Sequence, residues 1–124
     1  MPSQGGQEYG LTMKAIERLL WWLIAGSAGG VNRGRIINAL KEHPFNANQL
    51  TELLELDYKT VRHHIEILER NNMISSIGNG YGKMYDISSL LAENIQVFDD
   101  MWVRVGNKKS KLKDMGERLY EKNC

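Results

Sequence analysis

The sequence predicts a mostly α chain carrying one small β-hairpin, and three observations carry that prediction. Apolar residues recur at three- and four-residue spacing through several long segments, the period of a helix with one buried face. Aspartate and asparagine stand where such segments begin, as helix-capping side chains do. One glycine-studded stretch, GNGYG at residues 78–82, lies between two short runs that read as strands.

The elements follow in order. The opening MPSQGGQEYG is polar and glycine-rich, so residues 1–10 are expected to be a disordered leader. From Thr12 a helix carries Ala15, Ile16, Leu19, Leu20, Leu23 and Ile24 at helical spacing, and GSAGG at 26–30 breaks it. Asn32 is expected to cap a second helix bearing Ile36, Ile37 and Leu40, which stops at His43-Pro44. A third, short helix spans Ala47 to Leu54 with Leu50, Leu53 and Leu54 inward. A tight turn at 55–57 leads to Asp57, the cap of a fourth helix reaching Arg70, whose Val61, Ile65 and Leu68 face the core. Asn71-Asn72 ends it. Asn79-Gly80 is a strong hairpin-turn dipeptide between the two strands. From Ser88 or Ser89 a long helix carries Leu91, Ile95, Phe98, Trp102 and Val105 along one stripe.

Helix, turn, helix and hairpin within about sixty residues describe a winged helix-turn-helix with extra N- and C-terminal helices. Length suits a single domain, expected at residues 11–105 between the leader and a basic C-terminal tail, 106–124, that is partly helical. The stretches NANQLTELLELDYKTVRHHIEILERNNMI (46–74) and GGVNRGRIINAL (29–40) resemble the core of ArsR-type winged-helix transcription regulators, especially their archaeal branch. The resemblance covers about half the chain and implies a dimeric DNA-binding regulator.

A helix that reads DNA presents hydrogen-bond donors to the major groove from its N-terminal half. With Val61, Ile65 and Leu68 inward, the fourth helix turns Tyr58, Lys59, Arg62, His63 and Glu66 outward, with Thr60 at the edge where a phosphate would approach. Arg62 can form a bidentate contact to guanine. Outside this fold pattern the same residues would read as a solvated charged face. Tyr81 and Lys83 at the hairpin tip are expected against backbone or minor groove, and Arg33 and Arg35 are weaker phosphate candidates.

Other chemistries find less support. His63 and His64 point roughly 100° apart on a helix and cannot share one metal, His43 sits at a helix end, and Cys124 is the single cysteine. ArsR relatives that sense metals use cysteine-bearing sites, and this chain departs from that pattern, so neither metal nor cofactor is expected. No phosphate loop, nucleophile elbow or catalytic Cys/His set occurs, so no enzyme is predicted. The longest apolar run, LLWWLIAG, has eight residues against the roughly 20 that span a bilayer. A lone cysteine suits a reducing, cytoplasmic setting.

Two features concern assembly and charge. Trp21 and Trp22 make the first helix apolar around more than one face, and such helices are usually buried twice. A homodimer interface through Leu20, Trp21, Leu91, Phe98 and Trp102 is therefore expected. Net charge is only +1, but residues 104–124 hold 7 basic and 3 acidic side chains while 46–103 hold 4 and 9. Lys108 and Lys109 in that tail are expected near flanking DNA backbone. The function predicted is a homodimeric, sequence-specific regulator on an inverted repeat of double-stranded DNA. The alternative is a winged-helix protein-interaction module of transcription machinery.

Overall fold

A computed structural model describes residues 15–106. The leader expected at 1–10, and the tail from residue 107 with Lys108 and Lys109, lie outside the described residues. Helix α1 (residues 15–20) widens at its end into a π turn, Trp21–Ala25, where the Gly26 amide donates to the Trp21 carbonyl at 2.8 Å. The wider turn leaves Leu23 and Ile24 buried while Trp21 and Trp22 both face outward, 53% and 54% exposed.

Helix α2 spans Gly30–Glu42, not from an Asn32 cap as expected. Gly29 is the cap, at φ 79°, a left-handed backbone that glycine adopts at little steric cost. Gly30 must be glycine for a second reason: a Cβ there would lie 2.1 Å from the Ile24 carbonyl oxygen. The two glycines therefore let α2 start hard against the π turn, three residues earlier than the expected Asn32 cap places it.

Strand β1, Phe45–Asn46, precedes α3, Ala47–Leu54, which opens with a capping box between Asn46 and Gln49. Leu50 and Leu54 are buried, but Leu53, expected inward, is 54% exposed, because it lies off the stripe that those two define. Glu55, at φ 56°, closes α3, and Asp57 caps α4, Tyr58–Arg70. The wing is β2, Ile74–Ile77, and β3, Met84–Ile87, joined through a 3₁₀ turn at Gly80–Gly82. The antiparallel sheet has the order β1-β3-β2, with Phe45 opposite Tyr85 and Ile77 opposite Met84. The expected two-residue turn at Asn79-Gly80 is not formed. Asn79 is extended at φ −133°, whereas a type I′ turn needs positive φ at both positions.

The predicted last helix is two. Helix α5, Ser89–Glu93, is capped by Ser88 and ends at Asn94, whose side-chain amide donates to the Leu90 carbonyl at 2.9 Å. Helix α6, residues 95–106, then carries Phe98 and Met101 into the core. An ion pair from Lys41 to Asp99, 2.6 Å, ties it to α2. Leu20, Leu91 and Phe98, expected between copies, are each 0% exposed in the monomer. A small chain needs them for its own core, so they are not interface residues. Trp102 is half-buried, stacked on Phe98 with its ring over Gly34.

Candidate nucleic-acid interface

Asp57 builds the start of α4. Its carboxylate accepts from the Thr60 amide and the Thr60 hydroxyl, both at 2.8 Å, and the amide bond holds its pKa below the usual carboxylate range. Thr60 is thus engaged by the cap, and a phosphate would have to meet the helix beside it rather than at its amide. Past this turn the predicted side of α4 is outward: Tyr58, Lys59, His63 and Glu66 are exposed, and Arg62 is half-exposed, while Val61, His64, Ile65 and Leu68 are buried.

Arg62 is held rather than free. Its Nη1 donates to the Tyr85 phenol oxygen at 2.7 Å, and Glu66 lies 3.8 Å from its Nη2. The Tyr85 bond raises the guanidinium pKa further, so the charge is fixed at every physiological pH. Lys83 brings its ammonium 5.9 Å from the centre of the Tyr85 ring. Tyr58, Arg62, Lys83 and Tyr85 thereby meet around a cleft of about 420 Å³ between α4 and the wing, with Ala47 and Asn48 of α3 on its rim. Tyr81 lies within the Gly80–Gly82 turn at the tip.

Tyr85 was missed by sequence reasoning, although a signal existed. The strand MYDI places Tyr85 on the inward face, and a buried phenol normally finds a polar partner. Its ring is core, 1% exposed, and its oxygen aims the arginine.

The two α2 arginines do not join this surface. Arg33 is 3% exposed, so it is not a phosphate contact. Its Nε donates to the Leu23 carbonyl at 2.7 Å, its Nη2 to the Ala28 carbonyl at 3.2 Å and to the Ser27 hydroxyl, and its Nη1 to His64 Nδ1 at 3.3 Å. The sequence carried a sign of this, since Arg33 lies on the same helical stripe as Ile36, Ile37 and Leu40. Arg35 is half-buried and spent on the end of α3, donating to the Leu54 carbonyl at 2.7 Å. His64 is buried, and burial, reinforced by Arg33 and His63, lowers its pKa. Neutral His64 accepts from Arg33 through Nδ1. His43 stacks on Phe45 at 4.3 Å. Among the described residues, no group of three His, Cys, Asp or Glu side chains could hold a metal, and no helix is long and apolar enough to cross a membrane.

Comparison with known proteins agrees with this geometry. No curated protein matches the chain. Residues 31–76, from α2 through most of β2, match the family described as "Bacterial regulatory protein, arsR family". The structure is similar to the transcriptional regulator HlyU from Vibrio vulnificus, with a TM-score of 0.56 at 16% identity, covering 82% of this chain and 99% of that one. It is similar to the PcaV transcriptional regulator from Streptomyces coelicolor, TM-score 0.56 at 14% identity, covering 98% and 96%. A MepR variant from S. aureus, bound to an oligodeoxyribonucleotide, gives 0.53 at 14% identity over 98% and 94%. The chain has the winged helix-turn-helix fold shared by these regulators, and its residues 31–76 match the arsR family model.

Proposed function

We propose that the chain is a sequence-specific regulator of transcription that binds double-stranded DNA as a homodimer on an inverted repeat. The observation that carries this reading is the outward face of α4, where Tyr58, Lys59, Arg62 and His63 stand beside a wing that brings Lys83 to the same cleft. Helix α4 would lie in the major groove and the wing along the adjacent backbone. Arg62, pre-aimed by Tyr85, is the residue for a guanine edge. Two copies would set their reading helices about 34 Å apart.

Assembly is supported by what the terminal helices leave uncovered. Trp21 and Trp22 on the π turn that ends α1, and Val103 on α6, are 53%, 54% and 61% exposed. Large apolar side chains left open on two terminal elements favour a partner there. The reading involves no catalytic step, metal or cofactor, and a cytoplasmic setting. Lys108 and Lys109 of the tail would reach flanking phosphates.

The acidic balance of residues 46–103, 4 basic against 9 acidic, favours the alternative of a protein-interaction module. Duplex binding measured across salt concentrations separates the two. A DNA binder loses affinity linearly in log[salt], with a slope of about −0.9 per phosphate contact. Absence of duplex binding at low salt would leave the interaction module.

A further inference from the structure

A second cavity, about 660 Å³, lies where the π turn, the start of α2 and the end of α6 meet, and it shares no lining residue with the cleft at α4. Its size is that of a small-molecule site. Trp21, Ile24, Val31 and Val105 supply apolar wall, and Asn32 and Arg104 supply the polar part. Gly29 and Gly30 also line it. Arg104 is the one charged residue of the lining, and among the described residues no carboxylate pairs with it. The first turn of α2 borders the same space and has no side-chain cap, which adds positive potential. An apolar hollow with an aromatic wall and a single cation complements an organic acid with an aromatic body.

Behind the cavity stands Arg33. It joins the Leu23 carbonyl of the π turn, and Ser27 beside the cavity, to His64 of α4. Movement of the cavity wall therefore bears on the helix that carries His63 and Arg62. We propose that this cavity binds a small aromatic carboxylic acid, with Arg104 as anchor to the carboxylate, and that its occupancy is transmitted through Arg33 to the reading helix. The second half rests on the DNA-binding reading above.

Calorimetric titration with phenylacetate and with uncharged phenylacetamide tests the site without DNA. Saturable binding of the acid is expected, with the amide at least about tenfold weaker, as loss of a charge-assisted pair requires. Arg104 is exposed, so Arg104→Gln keeps the fold, and it should weaken the acid to the level of the amide while leaving the amide unchanged. Phenylacetate at saturation should change the parent's duplex affinity by about fivefold or more, and that of Arg104→Gln by much less. Absence of saturable uptake below about 10 mM, or equal affinity for acid and amide, overturns the site. A parent that is dimeric and takes up no acid gives the cavity to the partner copy and overturns it too. Acid uptake without change in duplex affinity overturns the coupling. A parent that binds no duplex at all overturns the DNA reading and the coupling with it, and leaves the calorimetric result standing.

Discussion

Replacing Arg33 with methionine separates the two roles that this arginine could play. In the structure it is 3% exposed and donates to the Leu23 and Ala28 carbonyls, at 2.7 and 3.2 Å, and to His64. Methionine fills a similar volume with a flexible apolar chain, so little cavity is left. What is lost is a set of hydrogen bonds from a charged donor, and the buried Leu23 residue keeps a carbonyl with its partner removed. An acceptor orphaned in this way costs about 1–3 kcal/mol, and the remaining bonds bring the expected loss to roughly 2–4 kcal/mol. Urea unfolding followed by circular dichroism should show a lower midpoint at unchanged slope. The folded variant should bind duplex with an unchanged salt dependence, because no phosphate contact has gone. A stability equal to the parent's, combined with a salt slope flatter by about 0.9, would mean that Arg33 faces phosphate and that its burial is wrong.

Three further outcomes follow from the same packing. Gly34→Ala places a Cβ 2.2 Å from Cζ3 of Trp102, so the indole must move; a net loss of about 1–3 kcal/mol and a red-shifted tryptophan emission are expected, and a more stable variant would refute the contact. His64 has a folded pKa below its ordinary 6.5, so the unfolded chain takes up the proton first. Stability should accordingly be level above that value and fall as pH drops below it, and His64→Gln should remove that part of the fall; a pH profile identical to the parent's would count against the buried neutral histidine. Val103→Glu, at an exposed position on α6, should lower dimer affinity by at least about tenfold in sedimentation with the fold retained, whereas an unchanged dimer would place the interface elsewhere.

The parts of this fold that were legible are those written in local chemistry. Asp57 capping α4, the Val61, Ile65 and Leu68 stripe, and the Asn71-Asn72 stop each act within a turn or two of chain, and each appears where it was read. The outward set on α4 followed from that stripe alone. What escaped depends on contacts distant in sequence. The π turn and the Gly29 cap arise because α2 starts against the Ile24 carbonyl, a steric fact that no periodicity reports. Strand β1 is two residues long and exists only by pairing with β3. The burial of Arg33 escapes local rules because a guanidinium at the head of a helix is usually solvated, and here it is set by carbonyls five to ten residues away. Leu20, Leu91 and Phe98 lie in the core and not between copies, a distinction that apolar stripes do not carry because they do not say which of two surfaces they cover.

The reading face of α4 is tested most directly by one comparison: the affinity of the parent and of Arg62→Ala for a fragment selected from bound genomic DNA, each divided by its affinity for random duplex at the same salt. A guanine contact by Arg62, aimed by the 2.7 Å bond to Tyr85, predicts that the variant loses about 1–3 kcal/mol on the selected fragment and much less on random duplex. An unchanged ratio, in a variant that folds as the parent does, would contradict the assignment and put sequence recognition on another surface.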